Sequence, residues 1–278
     1  MAISIHTNYA ASLTQTNMSK TNSALGTNQQ RLGTGLRVNS AADDAAGLQI
    51  ATRLNAQARG QAVAMRNAQD GISLLQTAEG ALNEFTNVVL RMKDLATQAA
   101  NGTNSADDLT ALDAEYTELS AELTNILANT SYGADNNLFA SGTGKLVQAL
   151  TLQIGSSSAE TLDIDVSGDI NAIDVTTLST DITASGAAKG EIDKLNTLLT
   201  DVGAARGAMG ANINRLNHTI NNLANMADNT NTAKGRIMDT DFAAESATMA
   251  KNNMLMQSGI AMLKQTSQMP SLALSLLG

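Results

Sequence analysis

Cysteine is absent from this 278-residue chain, which removes disulfides, thiolate catalysis and cysteine-held zinc together and leaves the redox compartment open. Tryptophan is absent as well, and aromatics make up 2 % of residues. The apolar volume therefore comes from Ala, Leu, Met and Ile, a set that suits slender packed helices better than a thick globule. Proline occurs once, as Pro270, so long stretches carry no helix breaker. Charge is scarce: Asp, Glu, Lys and Arg total 15 %, and the acids outnumber the bases to give a net charge of -9 and a pI near 4.6. With no basic cluster to meet a phosphate backbone, nucleic acid is excluded as a partner.

Long hydrophobic runs are missing too. No window approaches roughly eighteen consecutive apolar residues, and the first twenty positions lack a basic segment followed by an apolar one. Neither a membrane span nor a cleaved secretory leader is expected, so export would need a route that removes no signal. The two histidines, His6 and His218, are far apart and belong to no HExxH pattern. Asp163 and Asp165 share a face of an expected strand, where solvation is a plainer fate than cation binding, because hard cations want about six or more oxygens. Asp43 and Asp44 are sequence neighbours that would diverge on a helix and form no carboxylate dyad. No catalytic residue, metal or cofactor is expected.

What the chain does hold is heptad spacing. Leu75, Ala78, Leu82, Phe85, Val89, Met92, Ala96 and Ala99 alternate steps of three and four without a miss. After the Asn101-Gly102 break, Leu109, Leu112, Tyr116, Leu119, Leu123 and Ile126 repeat the pattern behind a Ser105 to Asp108 start that reads as a capping box. Far downstream, Ile192, Leu195, Leu199, Val202, Met209, Ile213, Leu216, Ile220, Leu223 and Ala227 keep the register, with Arg206 as a polar interruption. Each large side chain on such a seam forfeits about 1.5 to 3 kcal/mol if it stays in water. Three long helices in one bundle follow.

The two ends are leaner. Met18, Leu25 and Leu32, and again Phe242, Met249, Met256 and Leu263, recur every seven residues amid Thr, Asn, Gln, Ser and Ala. A stripe one residue wide does not offset the roughly 1 to 2 kcal/mol per residue of backbone ordering. Both terminal helices are therefore expected to be disordered in the monomer and to complete their burial against each other and against further copies. Between about 138 and 188 the character changes: Leu150-Thr-Leu152-Gln-Ile154 and Leu162-Asp-Ile164-Asp-Val166 alternate as half-buried strands around a GSSSAE turn. The fold class expected is mainly α: a long antiparallel helical bundle or coiled coil with a small β-hairpin, plus N- and C-terminal helices that pair as a coiled coil. The expected domains are 1–38, a polymerisation helix and linker; 39–235, the bundle with its β segment at 138–188; and 236–278, the second polymerisation helix.

The segment from Gln29 to Leu54 holds Gly35, Arg37, Asn39, Ser40, Ala41, Asp43, Asp44, Ala46 and Gly47. Physically, Gly33 and Gly35 are expected to break the first helix, and Ser40 to cap the next with Asp43 in its first turn. This run resembles the bacterial flagellin N-terminal signature, with Thr34 and Val38 as conservative departures. The region from Arg206 onward is similar to the flagellin C-terminus at Gly210-Ala211, Asn214-Arg215-Leu216, Arg236-Ile237, Asp239, Asp241, Gln257, Gly259, Pro270, Leu274, Leu276 and Leu277. Met209, Gly235, Ser258 and Ser271 depart from the usual residues.

The resemblance implies a short-form filament subunit, without the variable outer domains that other flagellins carry, placed outside the cell in the flagellar filament. It would leave through the flagellar export channel without a cleaved signal. The partners implied are further copies in a helical homopolymer, the export chaperone, the filament cap and the hook-filament junction proteins. A junction protein of the same superfamily is the alternative; a signalling or translocator protein would need a membrane span or receptor module, and neither is visible. The resemblance also implies a patch recognised by the flagellin-sensing Toll-like receptor, at Arg91, Leu95 and Glu115. Leu95 lies beside the Ala96 seam position, so it either faces a partner or widens the core stripe. Ser and Thr in 141–185 offer sites for glycosylation.

Overall fold

The structure, a computed structural model, describes residues 8–134, 136–178 and 181–275, without the side chains of 185 and 269–275. His6, Leu276 and Leu277 lie outside the described residues. In chain order the elements are α1 (Tyr9–Thr34), α2 (Ala45–Ala99), α3 (Ala106–Asn129), β1 (Leu150–Gln153), β2 (Thr161–Ile164), the short α4 (Ser167–Ala172), a 3-10 turn at Val175–Thr177, α5 (Ser185–Met238) and α6 (Phe242–Ser275). The fold is mainly α with one small antiparallel sheet. Packing divides the chain into two compact units, Gln57–Asp228 and the pair of segments Met1–Ala56 with Asn229–Gly278. The bounds expected at 38/39 and 235/236 follow the linker motif. The division by packing falls inside α2 and α5.

In the unit Gln57–Asp228 every seam residue of α2 from Leu75 to Ala99 is sealed from water. The three-and-four spacing brings them onto one stripe, where they meet Tyr116 and Leu123 of α3 and Leu195, Val202, Met209 and Leu216 of α5. α3 starts on the expected capping box: Ser105 Oγ accepts from the Asp108 amide, and Asp108 Oδ2 accepts from the Ser105 amide and hydroxyl at 3.0 and 2.6 Å. The ion pair Arg206–Glu79 (4.0 Å) joins α5 to α2, and Arg91–Glu115 (2.6 Å) joins α2 to α3.

The α5 seam differs from its expected register. The buried positions step through Leu195, Leu198, Val202, Ala205 and Met209, while Leu199 and Arg206 are half-buried. The step falls one residue short at two places. Leu195, Val202, Met209, Leu216 and Leu223 keep the seven-residue repeat, and the second seam position is taken by Leu198 and Ala205 rather than by the residues that follow them. Arg206 therefore does not interrupt the core, because Ala205 fills that layer.

The hairpin forms as the alternation requires, in the register Leu150↔Ile164, Thr151↔Asp163, Leu152↔Leu162 and Gln153↔Thr161. Leu162 and Ile164 point into the core. The Asn67 amide holds the Gln153 carbonyl at 2.9 Å, and the turn runs close over α2 at Gly60, where an added Cβ would lie 2.5 Å from Ser156 Cβ and 3.0 Å from its Cα. One charge sits deep in this unit. Glu191, 2 % exposed, accepts from the Tyr116 hydroxyl (3.2 Å) and from Lys194 Nζ (2.6 Å). Burial, then the Glu191 charge, pushes the Tyr116 phenol well above its ordinary range.

In the unit formed by the two ends, α1 and α6 pack side by side and antiparallel. Asn8 Nδ2 donates to the Thr266 carbonyl at 2.8 Å near the start of α1, and Gly35 faces the Phe242 ring at its end. Asn8 also caps α1, accepting from the Ala11 amide at 3.1 Å.

Candidate assembly interface

The linker motif is a set of backbone ties. α1 continues through Gly33 and ends at Thr34, contrary to the expectation that Gly33 breaks it: one glycine inside a helix weakens it by only about 1 kcal/mol. The terminator is Gly35, in the left-handed region at φ 73°, whose amide reaches the Arg31 carbonyl at 2.8 Å. Beyond it the chain runs against the end of α5. The Arg37 amide donates to the Met238 carbonyl at 2.6 Å, Arg37 Nη2 to the Ile237 carbonyl at 2.7 Å, and the Thr240 amide to the Gly35 carbonyl at 3.0 Å. Val38 is buried between these ties.

Asn39, Ser40 and Asp43 form a turn ahead of α2. Asp43 Oδ2 accepts from the amides of Asn39 (3.1 Å) and Ser40 (2.8 Å) and from the Ser40 hydroxyl (3.1 Å). The Ser40 and Asn39 amides, with the hydroxyl after them, hold the carboxyl below its usual range. Asn39 Nδ2 also returns to Thr34 Oγ1 at 2.9 Å. The expected cap is displaced: Ser40 does not cap α2. Asp44 does, accepting from the Gly47 amide at 2.8 Å. The Ser40 carbonyl accepts from the Asp43 amide instead, closing a separate turn.

Of the expected stripe, Met18, Leu25, Leu32, Met249, Met256 and Leu263 are half-buried on the shared face of α1 and α6. Phe242 stands at the same register but is 56 % exposed, with its ring over Gly35. The best-buried residue of α1 is polar. Asn28, 5 % exposed, donates to Glu245 Oε1 (2.6 Å) and accepts from Asn252 Nδ2 (3.0 Å), and Arg31 lies 3.8 Å from the same Glu245 oxygen. Sequence reasoning missed this group. Its signal was present: Asn28 lies three after Leu25 and four before Leu32, on the seam. Off that face, large apolar side chains are left exposed: Tyr9 (73 %), Leu13, Met254 (63 %), Leu255, Ile260 and Met262 (59 %).

Arg91 and Glu115 share an exposed patch of the bundle, where Nε and Nη2 of the arginine both bond Glu115 Oε1 at 2.9 and 2.6 Å. Leu95 does not join them. It is 2 % exposed and belongs to the bundle core, so the wider core stripe is the correct reading and Leu95 offers no surface contact. Asp163 is engaged by Thr151 Oγ1 across the hairpin (2.7 Å) and Asp165 by Ser167 (Oγ 2.6 Å), so the two carboxylates do not converge. The Ser167 hydroxyl and amide keep Asp165 below its usual range. His218 is exposed. Among the described residues no His, Cys, Asp and Glu cluster could hold a metal, and no helix is long and apolar enough to cross a membrane.

Comparison with known proteins bears on both ends at once. Residues 5–143 match the model of the bacterial flagellin N-terminal helical region, and residues 192–277 that of the C-terminal helical region. Flagellin A of Vibrio anguillarum is 34 % identical, with all of both chains covered. A flagellin of Halalkalibacterium halodurans is 41 % identical over 89 % of this chain and 90 % of its own. Among solved structures, a putative flagellar hook-associated protein from Vibrio parahaemolyticus shares the fold at a TM-score of 0.57 and 15 % identity, covering 71 % of this chain and all of that one.

Proposed function

The chain belongs to the bacterial flagellin family, whose members are structural subunits of the extracellular flagellar filament, and from that premise we propose that its terminal helices complete their folding only when copies assemble. The observation that carries this reading is the apolar surface that α1 and α6 leave outside their mutual face. Tyr9 and Leu13 on α1, and Met254, Leu255 and Met262 on α6, are exposed on helices whose shared stripe is one residue wide and polar at its centre. Each such side chain gains about 1.5 to 3 kcal/mol when removed from water. Further copies supply that burial, so polymerisation and the ordering of the ends are one equilibrium.

The remaining partners follow from the family premise. They are an export chaperone on the C-terminal helix, the filament cap and the hook-filament junction proteins, with passage through the flagellar export channel and no cleaved signal. Recognition by the flagellin-sensing Toll-like receptor rests on Arg91 and Glu115, the exposed pair of the bundle, without Leu95. The alternative role of a junction adaptor draws on the fold shared with the hook-associated protein, a likeness of fold alone.

Seeded growth separates these readings. Purified monomer added to filament fragments elongates them into a helical tube visible by electron microscopy, and its ends are cut by protease before assembly and protected after it. A monomer that fails to elongate, and whose N-terminus already resists protease, sinks the assembly reading and leaves the adaptor.

A further inference from the structure

We propose that Asn28 sets the register in which α1 pairs with α6, by bonding at once to two α6 residues that lie seven apart. The apolar stripe cannot perform this task. Met18, Leu25 and Leu32 recur every seven residues, and so do Met249, Met256 and Leu263. In the observed register these large side chains interleave with the smaller residues between them on the opposite helix, as Met18 does with Gly259, and sliding one helix by a heptad in either direction interleaves them again, so the stripe alone is degenerate under a seven-residue slip. On the shared face Thr14, Thr21, Gly259 and Thr266 fill the intervening positions; Met18 packs into the space that Gly259 leaves, and a one-heptad slip sets it against Thr266 or Asn252 instead.

The polar group removes the degeneracy. Asn28 gives its amide hydrogen to Glu245 Oε1 at 2.6 Å and takes one from Asn252 Nδ2 at 3.0 Å. A slip of seven in one direction keeps residue 252 near Asn28 and carries residue 245 away; the opposite slip keeps 245 and carries 252 away. Either slip leaves half of the Asn28 amide without its partner at a position only 5 % exposed, and an unmet buried amide is costly while a met one contributes little. Each slip also strands Asn252 or Glu245, and the second case separates Glu245 from Arg31, now 3.8 Å away. This is the behaviour of a lone buried asparagine in a coiled-coil seam, which selects pairing at the expense of stability. The in-register neighbours confirm a single alignment along the pair: Asn8 reaches Thr266, Met18 lies against Gly259, and Gly35 against Phe242.

The absence of cysteine makes the register directly readable. Three full-length double variants each carry one cysteine pair: Met18→Cys with Gly259→Cys reports the observed register, while Met18→Cys with Thr266→Cys and Ala11→Cys with Gly259→Cys report the two one-heptad slips. None touches the polar group. In assembled filaments under mild oxidation, intramolecular closure is read as a monomer of altered mobility on a denaturing gel, distinct from cross-linked dimers. With Asn28 and Asn252 in place, the 18–259 pair closes about tenfold more than either slipped pair, a ratio worth about 1.4 kcal/mol. Adding Asn28→Leu and Asn252→Leu removes the amide pairing and leaves Glu245 with Arg31 alone, and the slipped pairs rise to within about threefold of the 18–259 pair. Slipped pairs that stay at background in the leucine variant, while 18–259 closes fully, overturn the proposal. Should the leucine variant not assemble, Asn28→Ala is read by the same three pairs with the same two outcomes.

Discussion

The bundle and the terminal pair use one spacing rule and reach opposite results. In the bundle, the steps from Leu75 to Ala99 place aromatic and aliphatic side chains on a stripe that three helices close completely. In the terminal pair the same steps deliver Met18, Thr21, Leu25, Asn28 and Leu32, and two helices leave all but Asn28 half-open. Periodicity decides which face is buried. The chemistry of the residues on that face decides whether burial is sufficient within one chain or needs more chains, because a packed seam is roughly additive in the apolar area it removes from water.

The largest effect that separates the two regions is a truncation placed in each. Phe85→Ala removes a fully buried ring from the bundle and is expected to lower the monomer's stability to urea by about 3 to 5 kcal/mol. Leu25→Ala, on the α1 stripe, is expected to leave that same transition within about 0.5 kcal/mol while raising the monomer concentration needed for seeded elongation. Equal shifts in the monomer transition for both variants would mean that the ends are folded before assembly, and the contrast between the regions would collapse.

The fold was legible where one residue type dominated a periodic stripe. The α2 and α3 seams, the hairpin and the Ser105 cap all follow from local pattern. Three features were not legible, each for a definite reason. On α5 the second seam position falls on Leu198 and Ala205, because Leu198 and Leu199 are adjacent leucines that both suit a three-and-four spacing, and spacing alone does not choose between them. Glu191 and Asn28 are polar residues at buried positions, and their partners Tyr116, Lys194, Asn252 and Glu245 come from elsewhere in the chain or the next turn. Leu95 is a core residue because α2 is covered along more than a single stripe, which one helix's periodicity cannot disclose. The family signature around Arg37 identified the linker; the ties from Arg37 to Ile237 and Met238 explain why an arginine serves there.

A smaller effect tests the corrected cap. Asp44→Ala removes the acceptor for the Gly47 amide, and loss of an N-cap costs about 1 kcal/mol. Hydrogen exchange in assembled filaments is expected to quicken about fivefold at the Gly47 amide and its neighbours in the first turn of α2. Ser40→Ala is expected to leave the Gly47 amide's rate unchanged, because Ser40 bonds Asp43 and not the helix. The reverse ranking would return the cap to Ser40.

The smallest effect compares two turns of identical spacing, one in each unit. Ser40 to Asp43 and Ser105 to Asp108 both read as capping boxes, yet only the second caps a helix. Both carboxyls lie below the usual range, for different leading reasons: the Ser40 backbone amide at Asp43, and the Ser105 hydroxyl at Asp108. A carboxyl depressed in the folded state adds stability above its unfolded pKa and loses it as pH falls through the folded value, so each turn weakens only below about pH 4. Removing the hydroxyl should therefore act unequally. In carboxyl 13C titrations of assembled filaments, Ser105→Ala is expected to raise the Asp108 midpoint toward the ordinary aspartate value, with one backbone amide still donating to it. Ser40→Ala is expected to raise the Asp43 midpoint less, because the Asn39 and Ser40 amides still donate to Oδ2. An Asp43 midpoint that returns fully to the ordinary value in Ser40→Ala would show that the hydroxyl, and not the backbone, holds the linker turn.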